Sequence, residues 1–362
     1  MDLIYRFAIE PTPEQERQLF HIFYLCRQLY NLALDERNRH YKETGRGLSY
    51  YDQQQQLPAF KAEHPEYWQV PSQSLQDVLR RLDQAFVNFF EKRAGFPRFK
   101  DKFRFRSITI PQSEAKRNFG KEGFIYIPKI GHIRMNAHQA FDPAAVKIIN
   151  VKHHNGKWHV NLTAEQPVQE PSESVKRAVG IDVGLHNLAV TSDGAHYSNP
   201  RWIHKNEKKL KQRQRQLSKK QKGSRNRDKA KQRLQRLHDR ITNQRKDFLH
   251  KLSFRVVQSY DLICIEDLSV QEMMNNHRLA KSIANASWNR LSVYLAYKSI
   301  QYGKRLVKVP PAYTSQECSD CGKPVPKTLS ERTHRCPFCG LVLDRDENAA
   351  RNILKRGLEQ IA

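Results

Sequence analysis

Acidic residues are scarce in this sequence. The 362 residues include 37 Asp and Glu against 63 Lys and Arg, so the formal net charge is +26 at pH 7. Solubility alone does not require so large an excess, and a chain of this charge is expected to bind a polyanion. Nucleic acid is the first candidate, and an anionic membrane surface is the alternative.

Long apolar runs are missing as well. No stretch of the sequence approaches the ~20 apolar residues that a membrane-spanning helix requires. Residues 1–5 include an acid and continue as strand-like sequence, so we expect no signal peptide. Both absences favour a protein that works inside the cell and has no membrane partner.

Cysteine is rare outside two short motifs. Cys26 and Cys264 each lie alone in an apolar run, where a free thiol packs as a small hydrophobic group. The other four cysteines form two Cys-x-x-Cys pairs, each followed by glycine, with fourteen residues between the pairs. Four thiolates give the closed tetrahedral shell of a structural Zn²⁺ site, and glycine lets the backbone turn tightly around the sulfur atoms. The predicted zinc ligands are Cys318, Cys321, Cys336 and Cys339.

Acidic residues lie at three unusual places in the C-terminal half. Asp182 interrupts an apolar run at 178–184, and Glu266 ends another at 261–267. Asp344 and Asp346 open a segment whose small and apolar residues predict a helix packed on a sheet. A buried carboxylate is unfavourable unless something pairs with it, so these acids could converge on a cation.

Such a cluster would select hard cations. Three carboxylates favour Mg²⁺ or Mn²⁺, and two such ions can activate water and stabilise the leaving oxygen in phosphodiester hydrolysis. An acid that merely pairs with a surface Arg or Lys is the alternative for any single one of the three, but it explains all three together poorly.

The N-terminal half has the pattern of a small β-barrel interrupted by helices. Residues 2–10 alternate as a strand, and Thr12, Pro13 and Gln15 form the signature of a capped helix start. A second amphipathic helix is predicted from about Ser72, and the polar tract at 53–56 is expected to be a loop or a frayed helix end. Strand signals cover 124–163, with a hairpin turn at 155–156.

Two segments concentrate basic residues. Residues 95–106 alternate aromatic and basic side chains, which fits a half-buried strand with a solvated face or a nucleic-acid surface. Residues 205–247 hold 18 Lys or Arg against 4 Asp or Glu, and apolar residues at helical spacing on each side of Gly223 predict a two-helix hairpin. A solvated helix pair is the alternative, but charge of one sign favours contact with phosphates.

The remaining segments suggest a second sheet. Residues 166–174 read as a linker, and residues 188–191 as an antiparallel partner of the Asp182 strand. A loop that includes His277 leads to one long helix from about 279 to 302, and a short strand follows at 305–309.

The motifs in this order resemble those of TnpB proteins, which bacterial insertion sequences encode and which are related to the compact type V CRISPR effectors. The matching stretches are GIDVG at 180–184, IEDL at 265–268, YTSQEC at 313–318 and DRDENAA at 344–350. PTPEQE at 11–16 and GFPRFK at 95–100 are similar to the family too. The resemblance covers essentially the whole chain.

The resemblance implies an α+β multidomain protein. Residues 1–10 and 107–170 would form a wedge-type β-barrel, and residues 11–106 an inserted helical bundle. Residues 175–310 and 345–362 would form a RuvC-like nuclease domain of the ribonuclease H type, with a basic helical hairpin at 205–250. Residues 311–344 would form a zinc ribbon.

The resemblance also implies an activity. Asp182, Glu266 and Asp346 would be the catalytic, metal-binding triad of an RNA-guided DNA endonuclease that uses Mg²⁺ or Mn²⁺, with Asp344 as the competing candidate for the third position. The partners would be a guide RNA derived from the element end and a double-stranded DNA target beside a short motif, with base pairing reading the remaining sequence. We expect a monomer on its RNA, in the cytoplasm of a bacterial or archaeal cell.

Three alternatives stay open at this point. The protein could be a guided DNA-binding repressor without cleavage, although all three acids are present. It could be a transposase that acts without a guide, since acidic triads of this fold serve both chemistries. A structural RNA-binding protein would explain the charge but not the buried acids.

Overall fold

The computed structural model describes residues 1–171, 174–276, 280–328 and 331–361. The chain divides into two compact units, Met1–Gln166 and Pro167–Ala362. Both units combine β-sheet with helices, so the predicted α+β class is confirmed. None of the described helices is both long enough and apolar enough to cross a membrane.

The first unit contains a six-stranded sheet in which neighbouring strands are antiparallel. Its strands are β1 (Asp2–Glu10), β2 (Ser107–Ile110), β3 (Phe124–Ile127), β4 (Gly131–Asn136), β5 (Val146–His154) and β6 (Lys157–Glu165). They are ordered β2-β5-β6-β1-β4-β3, so β2 and β3 form the edges. The predicted hairpin turn joins β5 to β6, with Asn155 at φ 52° and Gly156 at φ 75°. The sheet is open at its edges in the described residues, and the wedge-type barrel stays a prediction.

Four helices accompany this sheet: α1 (Pro13–Thr44), α2 (Tyr50–Glu63), α3 (Ser72–Phe90) and α4 (Ala115–Phe119). Helix α1 begins at the predicted capping box, where Thr12 Oγ1 accepts from the Gln15 backbone N–H and Gln15 Oε1 accepts from the Thr12 N–H. Apolar residues of α1, α3 and the sheet share one core, which includes Phe7, Leu19 and Leu79.

The prediction of a loop at residues 53–56 was wrong, because this polar tract lies within α2. Ser49 and Asp52 form a second capping box. Gln53 is buried, its amide donates to Ala33 O at 2.9 Å, and its Oε1 accepts from Arg37 Nε at 2.8 Å. The polar side chain is therefore satisfied by partners on α1, which no local pattern could reveal.

Residues 95–106 form no strand, so that alternative was wrong. The Asn31 side chain on α1 donates from Nδ2 to Lys100 O at 3.0 Å and accepts from Lys100 N at 2.8 Å. Phe105 is buried, whereas Phe103 is exposed. The segment is a loop fixed to α1, because a side chain takes the hydrogen bonds that a neighbouring strand would have taken.

The second unit contains a mixed five-stranded sheet. Its strands are β7 (Ala178–Asp182), β8 (Asn187–Thr191), β9 (His196–Ser198), β10 (Leu262–Glu266) and β11 (Arg305–Val309), in the order β11-β10-β7-β8-β9. Strand β10 is parallel to both β7 and β11, and β8 is antiparallel to β7 as predicted. A further pair, β12 (Thr333–Arg335) and β13 (Val342–Asp344), is antiparallel.

The helices of this unit are α5 (Trp202–Ser218), α6 (Arg225–Ser259), α7 (Val270–Met273), α8 (Ala280–Ala286), α9 (Trp288–Gln301) and α10 (Arg345–Glu359). Helices α5 and α6 form the predicted basic hairpin, with a turn at Gly223. The single long helix predicted from 279 to 302 is instead α8 and α9, separated at Ser287, whose φ is 59°. Residue 279 and His277 lie outside the described residues.

Helix α10 lies unusually close to the sheet at two glycines. A Cβ on Gly180 of β7 would be 2.0 Å from Ala350 O, and a Cβ on Gly357 would be 2.1 Å from Sγ of Cys264 on β10. Only the absence of a side chain allows these approaches. They place the second turn of α10 against the middle of β7 and its last turn against β10.

Candidate active site

Asp182 and Glu266 end neighbouring strands. Strands β7 and β10 are parallel, and Ile181 lies opposite Ile265 in their register. The next residue on each strand is the acid, so both carboxylates lie at the same edge of the sheet. This edge, at the carboxyl ends of parallel strands, is the usual position of a ligand site in an open α/β sheet.

Asp346 approaches the same edge from α10. Its carboxylate is buried, and its Oδ2 lies 4.0 Å from the point where a Cβ on Gly184 would be, two residues after Asp182. Asp344 has another role, because its Oδ1 accepts from the backbone N–H of Asp346 at 2.9 Å and of Glu347 at 3.2 Å. Asp344 is the N-cap of α10.

The pKa of Asp182 is affected by the other two acids. Burial, followed by the negative charges of Glu266 and Asp346, raises the pKa of Asp182 well above its usual value. Burial also raises the pKa of Glu266, against the effect of a 2.6 Å hydrogen bond that Thr314 Oγ1 donates to Glu266 Oε1. A cluster with raised carboxyl pKa values is one that a bound cation would stabilise.

Two arginines face Asp346. Arg345 donates to Asp346 Oδ1 from Nε at 3.1 Å and from Nη2 at 2.8 Å, and Arg332 Nη1 lies 3.5 Å from Oδ2. Arg345 also lowers the pKa of Asp182, although less than burial and the two acids raise it. These guanidinium groups supply positive charge at the site from the chain itself.

The donor chemistry of the site fits a divalent cation. Carboxylate oxygens are the ligands that Mg²⁺ and Mn²⁺ prefer, and negative charges gathered at one end of a sheet favour a bound cation. Within the described part of the chain, however, these acids do not form a group whose donor atoms all lie within 4.8 Å of one another. A cation bound to all three would have to draw them closer together.

The four cysteines do form such a group. Their Sγ atoms all lie within 4.8 Å of one another, with Cys318 and Cys339 at 3.6 Å and Cys321 and Cys336 at 3.6 Å. Gly322 and Gly340 adopt φ of 71° and 79°, and each closes a turn by donating its N–H to the first cysteine of its pair. Four converging thiols suit tetrahedral Zn²⁺, as the spacing predicts.

The cysteine cluster is hydrogen-bonded to α10. Asn348 accepts from Ser319 N at 2.9 Å and donates to Glu317 O at 2.7 Å, and Asn352 donates to Thr314 O at 2.8 Å. The Thr314 hydroxyl in turn donates a hydrogen bond to the Glu266 carboxylate. One network thus joins the first cysteine pair, the helix that carries Asp346, and Glu266.

The sequence did not single out Thr314, Arg345 or the two asparagines as functional. Their partners lie 29 to 48 residues away along the chain, apart from the adjacent Arg345 and Asp346. A possible signal is the spacing of Asn348 and Asn352, one helical turn apart on the buried side of α10.

Family comparisons cover most of the chain. Residues 161–277 match OrfB_IS605, described as "Probable transposase"; residues 288–353 match "Cas12f1-like, TNB domain"; and residues 1–46 match a "Helix-turn-helix domain" model. In the structure, residues 1–46 contain strand β1 and the single helix α1.

Two relatives align over nearly the full length. "Putative RNA-guided DNA endonuclease InsQ" of Escherichia coli (strain K12) is 35% identical over 378 residues, covering 98% of this chain and 92% of the relative. A protein of Streptomyces pristinaespiralis named "Putative RNA-guided DNA endonuclease" is 36% identical and covers 98% and 89%. "TnpB-like protein L79" of Acanthamoeba polyphaga mimivirus is 36% identical over 35% of this chain and 25% of its own length.

The chain belongs to the TnpB family. Solved structures agree with this at the level of fold. The mini-RNA-guided endonuclease CRISPR-Cas phi3 matches with a TM-score of 0.55 at 9% identity, covering 99% of this TnpB chain and 92% of its own. CasPhi-2 (Cas12j) bound to crRNA matches with a TM-score of 0.53 at 10% identity, covering 99% and 98%.

Proposed function

We propose that this TnpB protein is an RNA-guided DNA endonuclease of a bacterial insertion sequence. The observation that supports this most is the approach of Asp182, Glu266 and Asp346 to one edge of a sheet, in a chain whose full-length relatives carry that activity in their names. The net charge of +26 supports nucleic acid as the substrate.

Asp182, Glu266 and Asp346 would hold the divalent metals, Mg²⁺ or Mn²⁺. When bound, these ions would activate water and stabilise the leaving oxygen of the phosphodiester. Thr314 orients the Glu266 carboxylate by its hydrogen bond, and Arg345 holds Asp346 Oδ1. Asp344 would not be a ligand, because its Oδ1 caps α10.

The domain roles follow the family resemblance. Residues 1–10 and 107–170 would form the wedge-type barrel and residues 11–106 the inserted bundle, and together they would hold the guide RNA scaffold and read the short motif beside the target. Residues 175–310 and 345–362 would form the RuvC-like nuclease domain. The ribbon at 311–344 would hold a structural Zn²⁺ through its four cysteines, with no coordination position left for catalysis. The complex would contain one protein chain on its RNA and bind double-stranded DNA.

The test is plasmid cleavage by the protein purified together with its RNA. Wild type should cut a plasmid that carries the guide-matched sequence in the presence of Mg²⁺, and the Asp182→Ala variant should bind the same plasmid without cutting it. Sequencing the retained RNA identifies the guide. Cleavage by purified Asp182→Ala would refute the assignment of the site.

A guide-independent transposase is the second candidate, because the family model that matches residues 161–277 is described as a probable transposase. RNase treatment separates the two. Loss of sequence-specific cleavage after RNase supports the guided nuclease, and full retention supports the transposase. Guided binding by wild type without cleavage in any divalent metal would instead indicate a repressor.

A further inference from the structure

An open aromatic cleft lies on the first unit, whereas the candidate active site belongs to the second unit. It has a volume of about 280 Å³ and is formed by α1 and the loop at residues 100–106. The rings of Phe20 and Tyr24 line it from α1, and the ring of Phe103 lines it from the loop. These three side chains are exposed to 41%, 47% and 52%.

The cleft is basic as well as aromatic. Arg27 lies 5.4 Å from the centre of the Tyr24 ring, and Lys102 and Arg106 lie 5.2 and 5.5 Å from the centre of the Phe103 ring. The remaining lining residues are Phe23 and Phe105, so every side chain in the lining is aromatic or cationic and none is acidic. This composition suits a planar ring joined to an anion.

Both walls of the cleft are held in place. Asn31 fixes the start of the loop through two hydrogen bonds to Lys100, and Arg106 O accepts from His153 N at 3.0 Å at the other end. On the α1 side, Phe20 packs against Trp158 with ring centres 5.1 Å apart. Because the cleft is held open by the fold, a ligand ring need not reorganise the chain to enter it.

We propose that this cleft binds one unpaired base of single-stranded RNA, with the base stacked between Phe103 and the aromatic side chains of α1. The cations Arg27, Lys102 and Arg106 would bind the adjoining phosphates. RNA is favoured over DNA because exposed aromatic rings are best explained by a partner that covers them persistently. Under the proposed function the guide RNA stays bound to the protein, whereas DNA binds transiently.

The first test needs no substitution. The full chain with its co-purified RNA is irradiated at 254 nm, and the cross-linked peptides are mapped by mass spectrometry. Ribonucleotide adducts are expected on the peptides that contain Tyr24 or Phe103. Adducts found only on other peptides would overturn the proposal. Adducts on these peptides that appear only after target DNA is added, and that have deoxyribonucleotide masses, would make DNA the occupant.

The second test uses the full chain freed of nucleic acid by nuclease and a high-salt wash, with a ten-residue oligo(U) as the probe. Phe103→Ala should weaken binding at least about fivefold, because one stacked base is lost. Phe103→Trp should retain wild-type affinity. Tyr41→Ala is the matched control, since Tyr41 is another exposed aromatic residue of α1 but lies outside the cleft.

Salt dependence separates stacking from charge. Phe103→Ala should leave the slope of log affinity against log salt unchanged, whereas Arg27→Gln should reduce it by about 0.7, the value for one phosphate of a single strand. Equal losses of oligo(U) affinity for Phe103→Ala and Tyr41→Ala, or no loss for either, would refute base binding in the cleft. Neither test measures cleavage, so base binding in the cleft can be refuted while plasmid cutting persists. Likewise, the proposed cleavage can be refuted while the cleft still binds RNA.

Discussion

Two aspartates only two residues apart have separate roles at the start of α10. Asp344 caps the helix through its side chain, while Asp346 directs a buried carboxylate to the strand ends. Asp344→Ala should lower the free energy of unfolding by about 1 kcal/mol, the usual value of an N-cap, and leave cleavage measurable. Asp346→Asn, which keeps the side-chain shape, should abolish cleavage. Denaturant unfolding and plasmid cutting are measured on both variants. If neither variant lost cutting, the separate roles of the two aspartates would be contradicted.

Lys298 should make the stability of the second unit depend on pH in a distinctive way. The residue is buried, donates to His250 O at 2.6 Å and to Ser253 Oγ at 2.8 Å, and burial lowers its pKa to about 8. Between pH 8 and its ordinary pKa, the unfolded chain keeps a proton that the folded chain has lost, so stability should rise with pH across that window.

Replacing Lys298 by Met should remove this rise. The wild-type free energy of unfolding should increase relative to Lys298→Met by up to roughly 3 kcal/mol from pH 7.5 to 10.5. Other titrating groups are common to both proteins and cancel in the difference. Parallel pH profiles for the two proteins, measured by denaturant unfolding, would show that Lys298 is not titrating in this window.

At this scale the sequence pointed to the acids of the candidate site but not to the residues that support them, and the role of these acids as metal ligands stays a prediction. Asp182 and Glu266 stand out because a carboxylate in an apolar strand is unfavourable without a partner. Arg345 does not stand out although it directly precedes Asp346, because a basic residue beside an acid is ordinary in a sequence. Thr314 does not stand out because only the folded chain brings it to Glu266. The sequence also leaves open which of Asp344 and Asp346 faces the strand ends, because this depends on which of the two caps α10 in the folded chain.

The contact between α10 and β10 leaves no room for a side chain at Gly357. A Cβ on Gly357 would lie 2.1 Å from Cys264 Sγ and 2.8 Å from Cys264 Cβ. Gly357→Ala should therefore destabilise the protein by about 1–3 kcal/mol, as overpacking of a core does.

A double mutant tests whether Cys264 is the cause. Cys264→Ala removes the sulfur but keeps the Cβ, so it should restore part of the stability lost in Gly357→Ala. The coupling energy between the two substitutions, from denaturant unfolding of all four proteins, should be favourable and exceed about 0.5 kcal/mol. Simple additivity would mean that the helix shifts away from the sheet instead.

Elements with local signals were predictable, and those determined by distant partners were not. The start of α1 is encoded in four consecutive residues, and the turn between β5 and β6 in two. The tract at 53–56 reads as a loop because its glutamines are polar, yet Gln53 is buried against Arg37 of another helix. The alternation at 95–106 predicts a strand, but Asn31 binds the backbone at Lys100.

The positive charge of the whole molecule is distributed unevenly, and much of it lies on the helical hairpin formed by α5 and α6. Lys208, Arg215 and Lys219 lie along one groove of α5. Replacing these three by Gln should reduce the slope of log affinity for duplex DNA against log salt by up to about 3, if each one meets a phosphate. Binding measured at several salt concentrations checks this.

A charge-matched control is available elsewhere in the chain. Arg39, Arg93 and Lys147 each already pair with an acid, at 3.0, 3.1 and 2.7 Å. Replacing them by Gln changes the net charge by the same amount but should change the slope much less. Equal changes in both triple variants would show that the total charge, and not the groove of α5, governs binding.

The network that joins the cysteine cluster to Asn348, Thr314 and Glu266 has a practical consequence for enzymology. With the proposed metals bound, a strong chelator would inactivate this protein by two independent routes, one through the carboxylates and one through the ribbon that supports them. We expect Mg²⁺ alone to restore cutting after brief EDTA treatment, whereas prolonged treatment that strips Zn²⁺ should leave the protein inactive until Zn²⁺ is also returned. Zinc content followed beside activity separates the routes, and a chelator experiment interpreted without it would assign to the reaction a metal that only supports the architecture.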